Sequence, residues 1–403
     1  MAEDTPSGWR ARLGRFASDL RSEIERAGAS LGLTDDDRPY EITPYRGYGT
    51  RSRVLVHGRV IEARNIAAAT ETDSIWRNLV NTYKRIDSDP LGGARVSIRV
   101  EDREHEVVAD GEGFFRQWVE LASPLEGGQQ WREVELQLEG PVREGQPAIK
   151  GTAPILVPAG SETFGVISDL DDTVIQSRIT SFFQAVRTVM LGNARTRLPF
   201  PGVAAFYQAL EKGGDGKRKN PIFYVSSSPW NIHDVIADFM DLQRIPKGPI
   251  HLRDWDVDFD ALTSHRLKRH KEPIIREILE LYPSLPFILI GDDSQRDPEI
   301  YRAILDQYPG RILAIYIRNV RSEPERSASV QALAKEVLAA GSTLILADDT
   351  FAAATHAAEQ GWIEKEALES VHEEKRADEG VSGEKADVPG VPEEPKAPTV
   401  VVE

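Results

Sequence analysis

The chain has 403 residues, 40% of them hydrophobic and 28% charged, with a formal net charge of −16 and no cysteine. These values suit a globular protein long enough for two domains plus extensions. They exclude a disulfide framework, a thiolate metal site and the broadly basic face that bulk nucleic-acid binding requires. No apolar run approaches the span of a bilayer, and the opening residues lack the apolar core of a secretory signal, so a cytoplasmic protein is expected.

Residues 1–39 are read as an amphipathic helix and a linker. Trp9, Leu13, Phe16, Leu20, Ile24, Ala27 and Leu31 recur every three or four positions, with Ser7 placed to cap. Such a stripe either docks on protein or lies peripherally on a membrane surface. Residues 40–160 change character. "SRVLVHGRVIEA" and "WREVELQLEG" alternate with period two and are separated by turn pairs such as Asp110-Gly111. That pattern predicts a smaller, sandwich-like β-domain, with a helical insertion near 73–85. It holds no catalytic constellation and is expected to be a structural or protein-recruiting module.

Residues 161–367 alternate apolar strand runs with helical patterns, which predicts an α/β domain: a parallel sheet with helices on both faces. Strands are expected at Phe164–Ser168, Ile222–Ser226, Ile250–Leu252, Phe287–Ile290, Ile312–Ile317 and Thr343–Ala347. From 368 to 403 Glu, Lys, Pro and Gly dominate, and the composition predicts a disordered acidic tail.

In open α/β sheets ligands bind beyond the carboxyl ends of the strands. Three of these ends carry chemistry. The first strand runs into Asp169-Leu-Asp171-Asp172-Thr173, whose carboxylates either bind a hard cation or cap a helix. The second ends in Ser226, Ser227 and Ser228, suited to phosphate or to simple helix capping. The fourth ends in Gly291-Asp292-Asp293, with Asp297 following. Between them lies "SHRLKRHKEPIIREIL", from which a lysine could neutralise a phosphoryl oxygen.

Taken together, the acidic pair, the serine, the lysine and the second acidic cluster resemble the four motifs of the haloacid dehalogenase (HAD) superfamily of phosphohydrolases, with its Rossmann-like fold. "SDLDDTV", "YVSSSPWN", "RHKEPIIREIL" and "LIGDDSQRDPEIYRAI", preceded by "PYRGYGT", further resemble the actin-patch-protein type of phosphatidate phosphatase. The resemblance implies Asp169 as nucleophile and Asp171 as general acid and base. It implies Mg²⁺ held by Asp169, Asp171, Asp292 and Asp297, and phosphate bound by Ser226, Ser227, Thr173 and Lys271, with Lys268 as second choice for the lysine.

The implied substrate is a phosphorylated one, first of all the lipid phosphate phosphatidate, hydrolysed to diacylglycerol with peripheral membrane contact. Two other readings stay open. One is a phosphatase of soluble phosphomonoesters. The other is an interaction protein whose β-domain recruits a partner. Residues 174–198, with Phe182, Phe183 and Met190 among arginines, are expected to form a small flap or a membrane-facing segment.

Overall fold

A computed structural model describes residues 39–62, 89–101, 103–143, 145–170, 201–253, 270–320, 323–383 and 400–401. The expected N-terminal helix, the insertion near 73–85 and the 174–198 segment lie outside the described residues.

The period-two segments fold into an eight-stranded sheet. Its strands are β1 (Tyr40–Pro44), β2 (Gly47–Gly49), β3 (Arg53–Glu62), β4 (Arg95–Val100), β5 (Arg103–Val108), β6 (Phe114–Glu120), β7 (Trp131–Gly140) and β8 (Lys150–Leu156). They pair in the order β1-β3-β2-β8-β7-β4-β5, with β6 also on β3. Pairing is antiparallel except between β2 and β8. Alternate residues such as Val54, Val56, Val96, Ile98, Val134 and Leu136 point inward and form a core of their own.

The second sheet runs β11-β10-β9-β12-β13-β14-β15. It comprises β9 (Gly165–Asp169), β10 (Ile222–Pro229), β11 (Ile250–Arg253), β12 (Phe287–Asp292), β13 (Ile312–Arg318), β14 (Thr343–Ala347) and β15 (Val400–Val401). β9 to β14 are parallel, and β15 adds an antiparallel edge. The strands are apolar at nearly every position because both faces are covered. Val166, Ile288 and Ile290 enter one core with helices α1 (Val203–Lys212), α2 (His233–Leu242) and α6 (Thr350–Glu359). Ile167, Phe287 and Leu289 enter the other with α3 (Lys271–Leu281), α4 (Asp297–Gln307) and α5 (Pro324–Ala339). Full burial of each such side chain contributes roughly 1.5–3 kcal/mol before entropy is subtracted. The fold is therefore the expected α/β sheet with a separate, smaller β-domain.

One expectation needs correction. Residues 367–383 form helix α7 (Ala367–Gly383) rather than disordered tail. Val371 is fully buried in the core beneath α1, and Ala367 and Leu368 pack beside it. Glu374 accepts from the Ala205 amide at 2.7 Å, and Lys375 pairs with Asp349 at 2.6 Å. Averaging composition over the whole C-terminal stretch hid this short apolar spacing behind the Pro- and Glu-rich residues that follow it.

Candidate active site

Strand order reverses between β9 and β12: the chain leaves β9 toward β10 and β11, then returns on the other side to β12. The diverging connections open a crevice there. Asp169 is the last residue of β9 and Asp292 the last of β12, so both carboxylates arrive at the crevice. Helix α4 begins with Asp297, and helix α3 begins with Lys271. All four side chains are buried.

Lys271 Nζ donates to Asp297 Oδ1 at 2.6 Å and pairs with Asp169 Oδ1 at 3.0 Å. Burial works against its charge, but Asp169 and Asp297 outweigh that and hold its pKa above the usual lysine value. Asp297 is pushed upward by burial, against the pull of Lys271, and Asp292 raises it further. Asp297 Oδ2 in turn accepts from the Asp292 amide at 3.3 Å. This close approach depends on Gly291, where a Cβ would stand 2.5 Å from Asp297 Oδ2 and 2.9 Å from the Tyr301 ring. Asp292 Oδ1 accepts from the amides of Ser294 at 2.6 Å and Gln295 at 3.1 Å.

Asp293, the neighbouring acid, turns elsewhere and accepts from the Val320 amide at 2.7 Å. Arg318 stands opposite Asp292 in the β12–β13 register and donates to Thr350 Oγ1 at 2.6 Å. Burial lowers its pKa to about 10, which still leaves it cationic at neutral pH.

Carboxylate oxygens from Asp169, Asp292 and Asp297 lie within 4.8 Å of one another. Lys271 contacts Asp169 and Asp297, and buried Asp292 Oδ2 takes no hydrogen bond among the described residues. An oxygen-only, negatively charged donor set of this kind fits a hard divalent cation.

Ser226 follows Val225, the register partner of Asp169, and is buried beside the acidic cluster. Its Oγ accepts from the Ser228 amide at 3.0 Å. His270 Nε2 donates to the Ser226 carbonyl at 3.2 Å, which seats the start of α3 against the serine strand. Ser227 Oγ faces Gln295 Oε1 at 3.5 Å. The structure thus brings together Asp169, Ser226, Ser227, Lys271, Asp292 and Asp297. Asp171, Thr173 and Lys268 lie outside the described residues.

Sequence reasoning missed Arg326. From α5 it donates to the carbonyls of Asp293 at 2.9 Å and Gln295 at 2.7 Å, and its guanidinium forks onto Glu299. It ties down the loop whose amides hold Asp292. Nothing in "EPERSAS" signals this, because the partners are backbone carbonyls of a distant segment. Trp230, two residues after Ser228, stacks with Tyr45 and His233 where the two domains meet.

Comparisons agree with this layout. Residues 164–319 match the family model described as phosphatidate phosphatase APP1, catalytic domain. The chain is 30% identical over 189 residues to phosphatidate phosphatase APP1 of Saccharomyces cerevisiae, covering 46% of this chain and 31% of that protein. It is 27% identical over 160 residues to an uncharacterized protein of Schizosaccharomyces pombe, covering 39% and 25% respectively. The chain therefore spans less than a third of the length of these relatives. A solved carbohydrate acetylesterase from Xanthomonas citri covers 66% of each chain at 9% identity, with a TM-score of 0.25, too low to carry an argument. Over residues 164–319 the chain is thus similar to the phosphatidate phosphatase APP1 catalytic domain.

Proposed function

We propose that this protein is a Mg²⁺-dependent, HAD-like phosphatase that works through a phospho-aspartyl intermediate, with phosphatidate as its substrate. The observation that supports this most is the buried convergence of Asp169, Lys271, Asp292 and Asp297 at the sheet's switch point. A structural role accounts poorly for three such carboxylates around one lysine, since unpaired buried charge is costly.

Asp169 attacks phosphorus, forming an O–P bond while the bond to the leaving alcohol breaks. Asp171, placed two residues further on, gives its proton to that alkoxide. It then takes a proton from the water that attacks the phospho-aspartate and releases phosphate. Lys271 fixes the Asp169 carboxylate and offsets negative charge on the phosphoryl group. Ser226, Ser227 and Thr173 bind phosphoryl oxygens. Asp169, Asp292 and Asp297, with Asp171, would hold Mg²⁺, which supplies charge neutralisation and Lewis acidity when bound.

Release of phosphate from phosphatidate in mixed micelles, compared with soluble phosphomonoesters, tests the substrate. Preference for micellar phosphatidate is expected. Turnover of soluble esters alone would replace the lipid reading with the soluble one. Chelation should stop release and added Mg²⁺ restore it; full activity in excess chelator would remove the metal. Among the described residues no helix is long and apolar enough to cross a membrane.

A further inference from the structure

The matched region begins at residue 164, yet the segment "PYRGYG" of the β-domain reaches deep into the α/β domain. It crosses the end of the second sheet where β11 lies and touches helices on both of its faces. On one face the Tyr45 ring is 4.1 Å from His233 and 5.1 Å from Trp230, nearly parallel to the latter at 21°. His57 of β3 closes the cluster edge-on, 5.3 Å from Trp230. Arg46 then pairs with both carboxylate oxygens of Asp241 at 2.7 Å. Helix α2 is thus held near its start by the rings and near its end by the guanidinium.

On the other face Tyr48 is fully buried in the core that also holds Phe223, Ile275 and Ile278. Its hydroxyl donates to Glu277 at 2.5 Å, and Tyr282 donates to the Gly49 carbonyl at 2.9 Å. A side chain at Gly47 would collide with the Leu55 carbonyl and with Ile155, so the tight path of the segment depends on glycine.

Of the two helices gripped this way, α2 follows the serine stretch of β10 and α3 begins with Lys271. Trp230 stands two residues after Ser228, and α3 opens on His270 and Lys271. We infer that the β-domain is an integral part of the catalytic unit, with Tyr45 and Arg46 acting as positioning residues for the phosphate-binding stretch Ser226–Trp230. The inference rests on the phosphatase reading for its catalytic consequence and on contact geometry for its structural one. Aromatic packing orders that stretch before substrate arrives, so binding energy goes to the phosphoryl group rather than to ordering a loop.

The test compares full-length Tyr45→Ala and Arg46→Met with Tyr45→Phe, which keeps the stacked ring. Arg116→Ala, at the outer rim of the same domain contact, is the control. Hydrogen exchange is read at the amides of 226–233, with kcat, KM and inhibition by inorganic phosphate measured beside it. Tyr45→Ala should speed exchange there and lower kcat/KM by about 10²-fold, the scale of a misplaced binding group. Phosphate inhibition should weaken in step, while Tyr45→Phe and Arg116→Ala stay near wild type. Should Tyr45→Ala fail to fold, Arg46→Met carries the same expectation at smaller size. Wild-type exchange at 226–233 in both variants overturns the inference. So does lowered thermal stability with phosphate affinity unchanged, which is mere scaffolding. If the wild-type protein released no phosphate from any monoester, the phosphatase reading would fall, and exchange alone would still decide whether the segment orders the loop.

Discussion

The acidic crevice and the domain junction both bury charged and titratable groups, but they treat them in opposite ways. At the junction Arg46 is matched by both oxygens of Asp241. There His57 is kept neutral: burial pulls its pKa down to about 3, while a hydrogen bond to the Arg46 carbonyl partly opposes that. At the crevice Lys271 pairs with Asp169 and Asp297, and the Asp292 carboxylate stands beside them. Charges matched on the spot hold parts together, whereas clustered carboxylates are what the proposed cation and phosphoryl group would offset. The contrast yields predictions that differ in kind at the two places.

The largest expected effect is at the crevice. Asp169→Asn should lower turnover by roughly 10³-fold or more while leaving thermal stability equal or higher, because it relieves crowded negative charge. A phosphate-release assay and a melting curve on the same preparation check both halves. A marked loss of stability would make Asp169 a structural acid like those at the junction.

Lys271→Met comes next. It strands Asp169 and Asp297 without their cation and should cost about 3–5 kcal/mol, the scale for breaking a buried ion pair. Adding Asp297→Asn should recover much of that stability but none of the turnover, as a double-mutant cycle in urea would reveal.

Gly291→Ala should cost on the order of 1–3 kcal/mol by overpacking. The new methyl group would push Asp297 away from Asp292, so activity should fall further than stability does. Arg326→Met should leave the fold standing and, under the proposed function, weaken activation by Mg²⁺, since its donors fix the carbonyls beside Asp292. A metal titration of phosphate release would detect that shift.

The junction's effect appears in the pH dependence of stability. Folded His57 binds its proton only near pH 3, whereas the unfolded chain binds it near the ordinary histidine value of about 6.5. Below that value the unfolded state takes up the proton first, so stability is complete above pH 6.5 and declines as pH falls toward 3. The slope from this one group is at most about 1.4 kcal/mol per pH unit. His251, whose pKa burial also lowers, adds in the same direction. Melting temperatures of His57→Gln against wild type between pH 7 and 4 should show a flatter decline in the variant.

Local pattern made the parallel sheet legible in the sequence, because buried strands must be apolar nearly throughout and helices repeat on their own period. The same pattern put Asp169 and Asp292 at strand ends, where charge escapes the core. It could not place Lys271 over Lys268 without resemblance, since only the start of α3 decides which side chain enters the crevice. The helical first half of the tail was hidden because its main anchor, Val371, has meaning only against α1.

What the sequence determined by itself is the chemistry on offer: carboxylates, serines and a lysine at the ends of apolar runs. The convergence of the Asp169, Asp292 and Asp297 carboxylates within 4.8 Å was decided by the tertiary structure, as was the seating of "PYRGYG" under Trp230 and Glu277. Composition and periodicity act over a few residues along the chain. A contact between Tyr45 and Trp230 depends on two separately folded surfaces meeting, and no local pattern encodes that.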